Sequence, residues 1–264
     1  MTTFSIVNAA LGPLRAIWRA ILPAIKEFEK FVDTLNLSFR LGFRKRFPKE
    51  GNVFPSVNSA EVPVVVINLS KRPDRLRDVT KNLKSVGFRD VRVLEAVDGP
   101  EKYPHLKRGH AANLGCTESH MAAVTENLRP GIPIAVCEDD NEFLSSPEKI
   151  HQLIEDFLKS PQYDVLCLSA RARGSKVRVS HAFHLVSWAM APAFYIAKPR
   201  ARKSLLSAYR KSVKRLSAEK FGGPFDQVWR ETQRYRLLFV RPTEKVARQK
   251  ESHSDIQGKF FAGT

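Results

Sequence analysis

The first fifty residues follow the repeat of an amphipathic helix, because apolar residues from Val7 to Leu35 recur at alternating spacings of four and three. Pro23 interrupts this repeat, and a proline inside a helix removes a hydrogen bond and clashes with the preceding turn. We therefore expect one or two short helices rather than one long coiled coil. Residues 1–47 are predicted to form an N-terminal amphipathic helical segment, and residues 48–61, rich in Pro, Gly, Asn and Ser, a linker.

From residue 62 onward the apolar positions form short runs that are separated by helical patterns. Runs typical of buried strands occupy residues 62–69, 91–94, 132–137, 165–168, 194–197 and 237–240. Ser146-Pro147-Glu148 is typical of a helix start, and further helices are expected to open near Pro199 and Pro224. Strands that alternate with helices predict an α/β domain over residues 62–264, with a mainly parallel, twisted sheet and helices on both faces.

The composition, 43% hydrophobic and 27% charged, is that of a globular protein. No apolar stretch reaches the roughly 20 residues that a membrane-spanning helix requires, and the chain does not open with a basic region followed by a hydrophobic segment. The three cysteines are odd in number and form no Cys-x-x-Cys pair. We therefore expect a protein of the reducing cytoplasm.

The formal charge of +17 predicts an anionic partner, and thirteen Lys or Arg residues lie between Arg171 and Lys220 against one acid. Nucleic acid, anionic lipid headgroups and phosphorylated polysaccharide all suit this charge, and part of it is explained equally well by a solvated helix face. Aromatic and basic residues alternate from Phe39 to Phe47, which is typical of a segment on an anionic membrane surface. The alternative is that the N-terminal helix packs on the main domain or on a sister subunit.

The apolar run 132–137 leads directly into three adjacent carboxylates, those of Glu138, Asp139 and Asp140. Open α/β sheets place ligand sites at the carboxyl ends of their strands. Adjacent carboxylates repel one another unless a cation lies between them, and carboxylate oxygens suit Mg²⁺, Mn²⁺ or Ca²⁺. Because Glu138 and Asp140 are two residues apart, both can turn toward one cation. A solvated acidic turn is the alternative.

Other polar groups follow the predicted strands or begin the predicted helices. Arg72 and its neighbours come after the first strand, and Asp98 after the second, where a plain Asp-Gly turn is the alternative. Cys116 and His120 have the i, i+4 spacing of helical zinc ligands, but no second Cys/His pair completes a zinc site.

Taken in order, these segments resemble glycosyltransferase family 25, which contains bacterial lipopolysaccharide and lipooligosaccharide galactosyltransferases and the collagen galactosyltransferases. The resemblance covers about residues 62–257. It is carried by Val66-Ile67-Asn68-Leu69 with Arg72, Glu95-Ala96-Val97-Asp98-Gly99, Leu114-Gly115-Cys116 with Ser119-His120, Glu138-Asp139-Asp140 with Phe143, and Gln249 with Ser254-Asp255-Ile256. The sequence departs from the family at Ala112-Asn113, where Gly-Glu is common, and at Ala193-Phe194-Tyr195, where a Gly-Tyr strand is usual.

The resemblance implies a GT-A-like, Rossmann-type fold, a UDP-sugar donor, a divalent cation (Mn²⁺ or Mg²⁺) and inversion at the sugar carbon. Glu138 and Asp140 would take the part of the family's acidic metal-binding motif, with His253 as a further candidate ligand. The donor pocket would be formed by Asn68, Leu69, Arg72, Asp98, Ser119, His120 and Asp139.

An inverting transfer also requires a base from another element of the structure. Asp226 is our candidate, because it follows Gly222-Gly223-Pro224 and precedes Trp229, which would offer its face to a sugar. The alternative is an Asp that stabilises the first turn of a proline-initiated helix. His253 equally fits a surface histidine.

We therefore expect a metal-dependent inverting glycosyltransferase that moves a hexose, with galactose the first candidate, from a UDP-sugar to a hydroxyl of a glycan or a lipid-linked acceptor. Its basic N-terminus would hold it on the cytoplasmic face of an anionic membrane. One alternative is a basic nucleic-acid-binding protein or nuclease, although the sequence has no helix-turn-helix, zinc finger or RRM motif. Another is an inactive family member that acts as an interaction module through residues 1–47.

Overall fold

A computed structural model describes residues 3–46, 57–126, 131–220, 222–250, 252–254 and 259–261, with side chains from residue 21 to residue 250 of these ranges. Most of the predicted linker lies outside the described residues; its last part contains a 3-10 turn at Ser59–Glu61. The helices are α1 (Thr3–Arg46), α2 (Pro73–Val86), α3 (Gly99–Lys102), α4 (Arg108–Thr125), α5 (Pro147–Lys159), α6 (Pro199–Ser217) and α7 (Phe225–Tyr235). The strands are β1 (Val64–Asn68), β2 (Val91–Glu95), β3 (Ile134–Glu138), β4 (Asn141–Phe143), β5 (Val165–Arg178), β6 (Phe183–Ala197), β7 (Phe239–Pro242), β8 (Ala247–Gln249), β9 (Ser252–Ser254) and β10 (Lys259–Phe261).

Six strands form one mixed sheet in the order β2-β1-β3-β6-β5-β7. Strands β1, β2 and β3 are parallel, β6 is antiparallel to both β3 and β5, and β7 is parallel to β5. Five strands therefore run in one direction and β6 runs against them. The predicted α/β class and mostly parallel sheet are confirmed.

The sheet is covered by helices on both faces, as predicted. Side chains of a strand point alternately to its two faces, so Val64 and Val66 of β1 enter one core while Val65 and Ile67 enter the other. The first core is closed by α2, α5 and the end of α1, and the second by α4, α6 and α7. Because successive side chains of a buried strand enter opposite cores, all of them must be apolar. This explains the continuous apolar runs in the sequence.

Helix α1 contradicts the prediction of one or two short helices, since it continues through Pro23 from Thr3 to Arg46. The hydrogen bond that a proline removes is local, whereas the second half of the helix is fixed by tertiary contacts. Leu37 and Leu41 are buried in the first core, and Arg40 donates to the carbonyl oxygens of Gln233 and Arg234. These contacts fix the part of α1 that follows Pro23 to the domain.

The opposite side of α1 carries an exposed apolar stripe, in which Phe28 is 67% and Phe39 75% exposed. Its members in the described part of the helix are Ile21, Leu22, Ile25, Phe28, Phe31, Val32, Leu35, Phe39 and Phe43. None of the helices, over the residues that the structure describes, is long and apolar enough to cross a membrane.

The long hairpin of β5 and β6 was not predicted. Only its two ends, 165–168 and 194–197, read as strands in the sequence, because the residues between them mix cations with small and apolar side chains. Their strand conformation depends on pairing between distant residues, such as Arg171 with Met190.

Candidate functional site

A cavity of about 660 Å³ lies where β1, β2 and β3 end. Its walls are the loops after these strands, the inner side of α4, the middle of the β5–β6 hairpin and the first turn of α7. Eight of the eleven predicted site residues line it: Leu69, Asp98, Ser119, His120, Glu138, Asp139, Asp140 and Asp226. The sequence order therefore does predict a cluster in space, at the carboxyl edge of the parallel strands.

Glu138 and Asp140 converge on one amide. Strand β4 pairs with β8, and this pairing brings Gln249 to the acids. The Nε2 atom of Gln249 lies 3.0 Å from Oδ2 of Asp140 and 3.4 Å from Oε2 of Glu138. A polar group thus already lies where a cation shared by the two carboxylates is expected.

Asp139, between them in sequence, is held on the other side. Its carboxylate accepts a hydrogen bond from Asn68 (2.8 Å) and forms an ion pair with Arg75 (3.1 Å). Asn68 also donates to the carbonyl oxygen of Arg72. The lining of the cavity, as far as it is described, includes neither Asn68 nor Arg72, so these residues orient Asp139 and the loop after β1 from behind.

Burial disfavours the charged form of the carboxyl groups of Glu138, Asp139 and Asp140. Burial, followed by the charges of neighbouring acids, raises the pKa of both Glu138 and Asp140 to about 8, while Arg75 acts in the opposite direction. Burial also raises the pKa of Asp139. Oδ1 of Asp140 is buried and has no hydrogen-bond partner among the described residues. An orphaned carboxylate oxygen beside a second acid fits a divalent cation with oxygen ligands.

His120 is part of the wall that supports Glu138. Its Nε2 lies 3.0 Å from Oε1 of Glu138, and its ring packs on Phe225 with centroids 4.4 Å apart. Burial lowers the pKa of His120 to about 3, so the ring is neutral at neutral pH. The Cys116 thiol comes within 4.8 Å of the ligand atoms of His120 and Glu138, so the structure supplies a third group to the Cys/His pair seen in the sequence.

Ser119 shapes the cavity through the backbone. Its hydroxyl accepts the N–H of Val97 at 2.9 Å and donates to the carbonyl oxygen of Gly115 at 2.8 Å. At Gly115 a Cβ atom would lie 2.5 Å from the Val97 carbonyl oxygen, so only glycine permits this approach. The contact fixes the loop that carries Asp98, whose carboxylate forms an ion pair with Lys71.

Asp226 lies in the first turn of α7 with its carboxylate at the cavity, where it accepts the backbone N–H of Ala191 at 3.2 Å. Burial raises its pKa. The prediction for Trp229 is wrong: this side chain is fully buried, packed on Tyr195 and Phe225, and offers no face to a ligand. Trp229 is three residues beyond Asp226 on an amphipathic helix, and the apolar side of that helix faces the second core.

No protein-family model matches this chain, and no curated protein matches it.

Several lining residues were missed by the sequence reasoning. Arg75 follows Arg72 by one helical turn, and Arg171 and Arg173 belong to the unpredicted hairpin. Together with Lys71 and Arg108 they give the cavity a cationic wall. Gln249 is part of the family resemblance, yet its place beside the acids depends on the β4–β8 pairing. The side chain of His253 lies outside the described residues.

Proposed function

We propose that the protein is a metal-dependent inverting glycosyltransferase that moves a hexose from a UDP-sugar, with UDP-galactose the first candidate, to a hydroxyl of a glycan or lipid-linked acceptor. The observation that carries the proposal is that one cavity holds two opposite charges. Buried acids with an orphaned oxygen lie on one side, and the cationic wall of Lys71, Arg75, Arg108, Arg171 and Arg173 lies around them. A metal–diphosphate ligand presents the complementary charges.

Glu138 and Asp140 would hold the cation, Mn²⁺ or Mg²⁺, and Gln249 would contribute through the same edge. When bound, such a cation stabilises the negative charge that develops on the departing diphosphate. Arg171 and Arg173 would bind the diphosphate from the hairpin side. Lys71 from the loop after β1 and Asp98 from the loop after β2 are paired with each other at the cavity, where they would contact the ribose or the base.

Asp226 is suited to take the proton of the acceptor hydroxyl. The acceptor oxygen forms a bond to the anomeric carbon, the bond from that carbon to the diphosphate breaks, UDP leaves with the electron pair, and the proton goes to Asp226. A carboxylate whose pKa is raised by burial is a stronger base than an exposed one, which supports this role.

The proposal is tested with the four common UDP-hexoses, UDP-Gal, UDP-Glc, UDP-GlcNAc and UDP-GalNAc. We expect one of them to raise the melting temperature only in the presence of Mn²⁺ or Mg²⁺, and to release UDP on incubation. Glu138→Ala with Asp140→Ala should abolish both responses. Asp226→Asn should keep the thermal response and lower turnover by about 10²–10⁴-fold, the usual contribution of a general base.

Glu142→Ala is the matched control, because Glu142 is two residues beyond Asp140 and pairs instead with Arg248 at 2.7 Å. It should leave donor binding and turnover unchanged. Full activity in the Glu138/Asp140 double variant would refute the metal site, and the absence of any response to all four donors would refute the function.

We also propose that the exposed apolar stripe of α1 rests on an anionic membrane. The helix carries eight Lys or Arg residues against three acids within a chain of charge +17, so two copies placed helix to helix would repel each other. Phe28→Asp with Phe39→Asp should abolish sedimentation with phosphatidylglycerol-containing vesicles. Val93→Asp with Leu144→Asp, two exposed apolar positions elsewhere, should not. A lipid-free dimer that the same α1 variant dissociates would refute the membrane contact.

A further inference from the structure

Three side chains with different ligand atoms meet at one wall of the cavity: the thiol of Cys116, the imidazole of His120 and the carboxylate of Glu138. Their ligand atoms all lie within 4.8 Å of one another, and all three residues line the cavity. The sequence contains only the i, i+4 pair of α4, and the fold adds Glu138 from the end of β3. Three protein ligands beside a cavity are the arrangement of a zinc site with one open position.

The distances suit one tetrahedral ion. Nε2 of His120 lies 3.0 Å from Oε1 of Glu138, and the sulfur of Cys116 lies within 4.8 Å of the ligand atoms of both. With bonds of about 2.0–2.3 Å, neighbouring ligand atoms around zinc are about 3.3–3.6 Å apart. Side-chain movements of about 1 Å are therefore sufficient to bring all three atoms to one ion.

The other nitrogen of His120 has a suitable partner. Binding of a metal through Nε2 requires that the ring proton be on Nδ1. This nitrogen lies 3.4 Å from the hydroxyl oxygen of Tyr195, which in turn lies 2.8 Å from the hydroxyl oxygen of Tyr209. Histidines that bind metals usually donate from their second nitrogen to such an acceptor, which fixes the orientation of the ring.

All three residues belong to regular elements rather than to loops. Cys116 and His120 are one helical turn apart on α4, so they share one face of this helix. Glu138 is the last residue of β3, which is paired with β1 on one side and β6 on the other. The His120 ring also packs on Phe225. Ligands on packed helices and strands are held more precisely than ligands on loops.

Glu138 faces this group and the proposed donor-cation site through different oxygens. Oε1 lies beside His120, whereas Oε2 lies 3.4 Å from the amide nitrogen of Gln249, which also contacts Asp140. A thiolate and an imidazole favour zinc, whereas the oxygens of Glu138 and Asp140 suit Mn²⁺ or Mg²⁺. The two sets of ligands therefore differ in the metal that they prefer, with one carboxylate between them.

We propose that Cys116, His120 and Glu138 form a second metal site, for a thiophilic divalent cation such as Zn²⁺, whose fourth coordination position opens into the cavity. On binding, the thiol releases its proton to solvent and the sulfur donates an electron pair to the metal. The open position would take a water molecule or an oxygen of a ligand in the cavity. The site requires no sugar nucleotide, so the inference goes beyond the proposed function.

Titration of the metal-free full chain with Co²⁺ tests the proposal, because a Co²⁺–thiolate bond gives a charge-transfer absorption band that bound Zn²⁺ abolishes. We expect this band in the wild type and not in Cys116→Ala. The variant should bind Zn²⁺ at least about tenfold more weakly, since loss even of a group that only supports a ligand costs about 10–100-fold. Cys167→Ala is the matched control, because Cys167 is a buried cysteine of the second core. It should retain the band.

Two further measurements separate this site from the donor-cation site and from an effect on folding. Asp140→Asn should retain the Co²⁺ band. Zn²⁺ should slow the alkylation of Cys116 in the wild type, as measured by peptide mass spectrometry, whereas Mg²⁺ should not.

A wild type without the band, a band that survives in Cys116→Ala, or alkylation that Zn²⁺ does not slow would each overturn the proposal. Loss of the band in Cys167→Ala would overturn the assignment to Cys116, and its loss in Asp140→Asn would overturn the separation of the two sites. No measurement here uses a UDP-sugar, so failure of this site and failure of the proposed function are distinguishable.

Discussion

Two groups of buried carboxylates in this protein are compensated in opposite ways. Asp164 is fully buried, and its single carboxylate forms ion pairs with Arg44 and Arg200 and accepts the N–H of Leu238 at 2.6 Å. At the end of β3, Asp139 pairs with Arg75 at 3.1 Å, Asp140 lies 3.9 Å from the same guanidinium, and Glu138 contacts the neutral His120.

The number of partners around each carboxylate indicates different roles for the two groups. A fold that buries a charge for its own sake surrounds it with partners, as Arg44 of α1 and Arg200 of α6 surround Asp164. Oδ1 of Asp140, by contrast, is buried without a hydrogen-bond partner among the described residues, as the proposed cation site requires. Asp164 therefore joins α1 to the sheet, whereas Glu138 and Asp140 form the proposed binding site.

The largest effect is expected at Asp164. Asp164→Asn leaves two guanidinium groups without their charge partner and should lower the free energy of unfolding by about 3–5 kcal/mol, as measured in urea. Asp78→Asn is the control, because Asp78 is 67% exposed and its ion pair with Lys250 lies on the surface. It should change stability by less than about 1 kcal/mol. A loss at Asp164 no larger than at Asp78 would contradict the structural role of this cluster.

The same contrast explains what the sequence could and could not predict. The acids at 138–140 could be predicted as site residues because a buried strand ends directly before them. The carboxyl ends of parallel strands lie at the same edge of the sheet, where ligand sites form. The ion pairs of Asp164 could not be predicted, since its partners Arg44 and Arg200 are far away in sequence. Compensation of a charge by distant residues leaves no local pattern.

The other features that the sequence did not predict depend on contacts between residues far apart in the chain. The hairpin, and with it Arg171 and Arg173, depends on a register that no periodicity reveals, and Gln249 reaches the acids through β4–β8 pairing. The docking of the second half of α1 is likewise a tertiary effect, because Leu37, Leu41 and Arg40 fix the helix to the domain. Local chemistry predicted the acids of the site, and long-range contacts supplied most of its cations.

The smaller effect is expected at the site acids and has the opposite sign. Glu138→Gln with Asp140→Asn removes two charges that repel each other, so the metal-free protein should keep its stability or gain roughly 1–2 kcal/mol near pH 8. Because both folded pKa values are about 8 against roughly 4 in the unfolded chain, the folded wild type holds protons that the unfolded chain has lost. Wild-type stability should therefore fall as the pH rises from about 5 to 8, and the variant should lose less stability over this range. Urea unfolding with a chelator present measures both, and a loss in the variant as large as that at Asp164 would mean that these acids hold the fold rather than a ligand.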